Sequence, residues 1–80
     1  MRVQVKLFAN LARYAPDGVK AGMAFEVKVP GEATVADLLA KVNMLPREAK
    51  VIFINGRARQ PETELADGDQ VGIFPPIGGG

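Results

Sequence analysis

Residues 34–42 form one helix-like stretch with strand-like runs on both sides, and this constrains the fold more than any other feature of the chain. Val35, Leu38, Leu39 and Val42 share one face at helical spacing, with Lys41 near the end. Thr34 stands where an N-cap belongs and Asp37 follows three positions later. There the hydroxyl accepts from a free amide of the first turn, and the carboxylate answers back while favouring the positive end of the helix dipole. The apolar stripe is core. A single helix of this kind fits a mixed sheet packed against one of its faces, which makes an α+β two-layer domain.

The strands are legible on each side. Arg2 to Phe8 alternates with period two, so that Val3, Val5 and Leu7 fall on one face. Ala9 to Tyr14 suits one or two helical turns, with Leu11 and Tyr14 three apart, until Pro16-Asp17-Gly18 breaks it. Met23 to Val29 alternates again and ends at Pro30-Gly31. After the helix, a connection from Asn43 to Glu48 leads to Val51-Ile52-Phe53-Ile54. This unbroken apolar run predicts a strand covered on both faces. Asn55-Gly56 then signals a tight hairpin, with Arg57 to Arg59 returning as far as Pro61. A second turn, Ala66-Asp67-Gly68-Asp69, precedes the last strand, Val71 to Phe74. The predicted order is β-β-α-β-β-β: one domain over residues 1–74 and a flexible tail over 75–80, with no internal repeat.

What is missing narrows the function. The 80 residues include no Cys, His, Ser or Trp. Burial must therefore hold the fold without a disulfide, and thiol catalysis, the usual zinc sites and a serine triad are all excluded. No Gly-rich loop followed by Lys-Ser/Thr is present to bind ATP. A net charge of +1 gives no polyelectrolyte signature, so nucleic acid is not an expected partner. No apolar run approaches membrane-spanning length and no signal pattern follows Met1, so no membrane is expected either, and the cytoplasm is the expected compartment. Acting alone, such a chain is not expected to be an enzyme.

The tail carries the remaining information. Pro75-Pro76 stops strand pairing and stiffens the exit, because proline lacks an amide hydrogen and has a fixed φ. Gly78-Gly79-Gly80 cannot pack a core and loses the most entropy on ordering. The three glycines suit a free carboxylate offered to a narrow active site on another protein. A frayed end is the plain alternative.

Taken together and in order, these residues resemble the ubiquitin-like β-grasp sulfur carriers of the MoaD/ThiS type, most of all the small subunit of molybdopterin synthase. The resemblance runs through Val5-Lys6-Leu7-Phe8-Ala9 into Leu11 and Arg13, then Ala33 to Leu39, Ile54-Asn55-Gly56, Leu65 to Val71, and Ile73 to Ile77 ahead of the glycines. It implies a carrier that binds no cofactor itself. Its C-terminal carboxylate, here Gly80 with Gly79 as companion, would be adenylated by a separate ATP-dependent enzyme of the ubiquitin-activating type. A persulfide donor would then convert it to a thiocarboxylate. That group would donate sulfur inside the synthase large subunit, in molybdenum- or tungsten-pterin cofactor synthesis. Glycines let such a tail thread a tunnel too tight for a Cβ. One departure is Gly78, where that family often carries Ser or Ala; a third glycine costs more to order on docking.

Three other readings use the same residues: a thiazole (thiamine) sulfur carrier, a ubiquitin-like modifier joined through Gly80 to lysines, and a β-grasp binding module whose tail does nothing. The thiazole carriers are usually shorter and lack the Leu11–Ala21 region. The expected docking residues are Phe74, Pro75, Pro76, Ile77 and Gly78, with Phe74 and Ile77 as apolar anchors, unless Phe74 points into the core. Arg13, Arg57 and Arg59 are available to pair with an acidic partner surface.

Overall fold

Alternate residues of strand β1 (Arg2–Leu7) are fully buried, Val3, Val5 and Leu7, and they begin a core to which α1 and the longer strands add. The computed structural model describes residues 1–76. A 3-10 helix over Ala9–Tyr14 follows β1 and buries Leu11. Strand β2 (Ala24–Lys28) returns antiparallel to β1, with Phe25 opposite Val5 and Val27 opposite Val3. Helix α1 (Val35–Lys41) buries Val35, Leu38 and Leu39 against the sheet, and Val42 ends it, half-buried. The predicted cap is present in both directions. The Thr34 amide donates to Asp37 Oδ2 at 2.8 Å and the Asp37 amide to Thr34 Oγ1 at 3.3 Å. A short 3-10 turn, Pro46–Glu48, leads to β3 (Val51–Ile54), β4 (Arg57–Ala58) and β5 (Gln70–Phe74).

The sheet order is β2-β1-β5-β3-β4, so the last strand lies in the middle. It pairs parallel to β1 and antiparallel to β3. This is the ubiquitin-like β-grasp: a mixed sheet with α1 across one face. The buried residues are all apolar among those described, and no buried polar side-chain atom among them lacks a partner.

The hairpin between β3 and β4 turns on Asn55 (φ 52°) and Gly56 (φ 84°), the pair of left-handed residues that a two-residue type I′ turn requires. Asn55 also reaches the second predicted turn. Its Nδ2 donates to Asp69 Oδ1 at 2.9 Å, and its Oδ1 accepts from the Gln70 amide at 3.0 Å. Asp69 Oδ2 in turn accepts from the Ala66 amide at 2.7 Å.

Two strand expectations are corrected. Strand β3 is covered on one face only: Ile52 and Ile54 are buried, whereas Val51 is exposed and Phe53 half-exposed. The unbroken apolar run reflects an aromatic outer face, not a second layer. In the second predicted strand Met23 lies outside the ladder and is 48% exposed. The connection after α1 also holds more order than its sequence indicates, with Met44 buried and Pro46–Glu48 turned as a 3-10 helix.

Candidate functional site

The central position of β5 decides what surrounds the chain as it leaves the sheet. Parallel β1 runs beside it in the same direction and turns away through Phe8 and Ala9. Ala9 takes a φ of 53°, a left-handed conformation uncommon for a residue with a Cβ. The Phe8 amide donates to the Ile73 carbonyl at 3.1 Å. Antiparallel β3 begins on the other side, where the Lys50 amide donates to the Phe74 carbonyl at 2.9 Å. The exit of β5 is therefore flanked by the two 3-10 segments, one following β1 and the other preceding β3. Pro75 is half-buried here and Pro76 is exposed. Ile77, Gly78, Gly79 and Gly80 lie outside the described residues.

Phe74 is half-buried and does not join the core. It belongs to the outer row of β5 with Gly72, opposite the buried Val71 and Ile73. Its ring stacks on Phe8, with centroids 4.1 Å apart and planes 4° from parallel, and meets the edge of Phe53 at 5.7 Å and 83°. Such aromatic pairs contribute about 0.5–1.5 kcal/mol beyond the area they bury. Gly72 pairs with Lys6 on one side and Phe53 on the other. A Cβ there would touch Phe8 at 3.5 Å and Phe74 at 3.9 Å, so Gly72 lies directly beside the stacked pair. The rings wall a shallow groove of about 500 Å³, edged by Gln4, Lys6 and Gln70. Phe8 and Phe53 belong to this face, although the sequence reading singled out neither for a site. No local pattern marks them: Phe53 lies in a wholly apolar run, and its outward face is set by the sheet.

At the exit itself the polar groups converge. Tyr14 Oη donates to the Glu48 carboxylate and lies 2.7 Å from both of its oxygens. Arg13 forms an ion pair with Glu48 Oε1, donates to the Asn10 carbonyl at 3.1 Å, and lies over the Tyr14 ring 4.7 Å from its centroid. The Leu45 amide donates to Glu48 Oε2 at 3.0 Å. These contacts hold the Glu48 carboxyl below its ordinary value of 4.5, the Tyr14 hydrogen bond foremost, then the Leu45 amide, with Arg13 and Arg47 adding charge against the cost of desolvation. Arg13 is thus engaged within the domain. Arg57 and Arg59 are exposed and have no ion pair among the described residues.

No group of His, Cys, Asp or Glu that could hold a metal ion occurs among the described residues. No helix among them is long and apolar enough to cross a membrane.

The ThiS family model matches residues 5–80. A candidate molybdopterin converting factor subunit 1 from Pyrococcus furiosus is 33% identical, with 96% of this chain and 99% of that one covered and a TM-score of 0.72. Small archaeal modifier protein 1 of Haloferax volcanii is 27% identical over 95% of this chain and 98% of that one, also at 0.72. A further Haloferax volcanii protein, 25% identical, superposes at a TM-score of 0.77 over 100% of this chain and 87% of its own. No curated protein matches the chain significantly.

Proposed function

Because this chain belongs to the ThiS family, we propose that it is a carrier of an activated C-terminal carboxylate, with Gly80 as the reacting residue. The observation that carries this reading is that the family match extends from β1 through the terminal glycines instead of stopping with the fold. A carboxylate is a poor electrophile until it has a leaving group. A Gly80 oxygen attacks the α-phosphorus of ATP on a separate activating enzyme, pyrophosphate departs, and an acyl adenylate remains. A nucleophile then attacks the acyl carbon and AMP leaves. If the nucleophile is a lysine amine, the product is an isopeptide bond. If it is a persulfide, a second thiol attacks the distal sulfur of the acyl adduct, and a Gly80 thiocarboxylate leaves as a disulfide forms. The absence of Cys and of a nucleotide loop fits a chain whose partners supply both chemistries.

Conjugation and sulfur transfer share their first step. The likeness to the Haloferax volcanii modifier over nearly its whole length supports a ubiquitin-like modifier that also passes through the adenylate. Sulfur donation to a pterin in a two-subunit synthase is the second reading, favoured by the Pyrococcus furiosus relative. In either case the outer aromatic face around Phe74 is the surface on which a partner would dock, with Pro75, Pro76, Ile77 and Gly78 leading into its active site.

The test is mass spectrometry after incubation with ATP and a cognate activating enzyme, with lysine-bearing proteins and with or without a persulfide donor. Beyond Arg59 the chain contains no Lys, Arg or Met, so one tryptic peptide isolates the tail from methionine oxidation. Oxygen replaced by sulfur on Gly80, or Gly80 joined to a lysine, is the expected result, and the proportion of the two decides between the readings. An unmodified tail beside a control carrier that is activated normally would overturn both.

A further inference from the structure

The groove around Pro75 and Pro76 has Asn10, Leu11 and Arg13 on one wall and Arg47 and Glu48 on the other. These walls come from segments far apart in sequence, and the outer aromatic face takes no part in them. The bonds from Tyr14 and Arg13 to Glu48 tie one wall to the other. Beneath them Leu11 is buried, which fixes the first 3-10 segment to the core. The Leu45 amide holds the same carboxylate from the second segment's own side.

From this arrangement we propose that Tyr14 and Glu48 are positioning residues: their bond closes the two walls around Pro75-Pro76 and sets the direction in which the tail leaves the sheet. Proline supplies the other half of the device. With φ fixed at both positions and Pro75 held extended by the proline after it, a direction set at the exit is carried into Pro76 with little loss. Separated walls would let the same rigid pair swing as a unit. A tail aimed at random must be oriented anew at every encounter with an activating enzyme, whereas a directed tail carries less of that cost into binding. The inference rests on the carrier reading for its purpose, but not for its geometry.

The experiment uses the full chain as wild type, Tyr14→Phe, Glu48→Gln, Pro75→Gly/Pro76→Gly, and Tyr14→Phe in the double-glycine background. Tyr14→Phe keeps the ring against the core and removes only the hydroxyl, which donates to Glu48 and accepts from Arg13 at 3.3 Å. Order of the Pro75 and Pro76 Cα–H vectors is measured by ¹³C relaxation, and adenylation by the activating enzyme is followed as kcat and KM. The expected result is lower order at both prolines in Tyr14→Phe and in Glu48→Gln, with order elsewhere in the sheet unchanged. KM for the carrier is expected to rise several-fold at constant kcat. Removing the prolines is expected to raise KM similarly, and in that background Tyr14→Phe adds nothing. Unchanged proline order in both single variants would overturn the proposal. So would additive KM effects, which are what a general loss of stability predicts. A wild-type chain that is never adenylated would defeat the carrier reading alone, and the proline order would still decide whether the bond sets the exit.

Discussion

Glu48 gathers more contacts than any other charged residue described at the exit, and its consequences belong to the scale of a single side chain. Its carboxyl is held below the ordinary value, so the charged form favours the folded state. The sign follows: this stabilisation is complete above the unfolded value and is lost as pH falls through the lower folded one. Wild type is therefore expected to be more stable than Glu48→Gln at neutral pH, with the gap closing below about pH 4. Thermal midpoints of the two proteins across pH 2–7 check this, and a gap that stays constant would show that the side chain's charge contributes nothing. Tyr14→Phe, which keeps the carboxylate but removes its foremost hydrogen bond, is expected to narrow the same gap. Nothing in the sequence announced this cluster. Arg13, Tyr14 and Glu48 are ordinary surface types, and only the pairing of β5 with both β1 and β3 brings residues 34 and 35 positions apart within reach.

At the scale of elements, the two turns that the sequence marks separately prove to be one structure. Asn55 serves the hairpin through its backbone and the Ala66–Asp69 turn through its side chain, while Asp69 accepts from both. Asn55→Ala and Asp69→Ala are each expected to cost about 1–3 kcal/mol, since each removes two hydrogen bonds. The double variant is expected to cost less than the sum, because either change already breaks the shared contact. Equilibrium urea denaturation of the four proteins measures the coupling; strict additivity would mean the turns hold independently. Local chemistry made these elements legible: the Thr34–Asp37 cap, the Asn-Gly turn and the period-two strands each follow from a few adjacent residues. Strand β3 was misjudged because apolar composition alone cannot distinguish a second buried face from an aromatic surface. Phe8 and Phe53 gain their meaning from Phe74, and no local pattern supplies that contact.

For the whole molecule, stability rests on one core with no covalent staple. A chain of this size holds roughly 4–12 kcal/mol, at about 0.05–0.15 kcal/mol per residue. Leu38, fully buried between α1 and the sheet, is a severe test: Leu38→Ala is expected to remove about 3 kcal/mol. The urea midpoint should fall steeply with an unchanged slope, and a midpoint that barely moves would mean the core is looser than its burial indicates. Deleting Gly79 and Gly80 is expected to act in the opposite way, abolishing activation while leaving the melting temperature where it was, since glycine has no side chain to bury. A shift of several degrees would show that the tail has a structural role.

The central place of β5 also governs how the domain bears load. A strand at the edge of a sheet can be peeled away one hydrogen bond at a time. Here, a partner that grips the chain beyond Phe74 and pulls along the strand strains two ladders together, one parallel to β1 and one antiparallel to β3. The bonds are loaded in shear and must yield as a group. The same architecture makes the chain beyond Phe74 a tether by which the folded domain can be towed without unravelling.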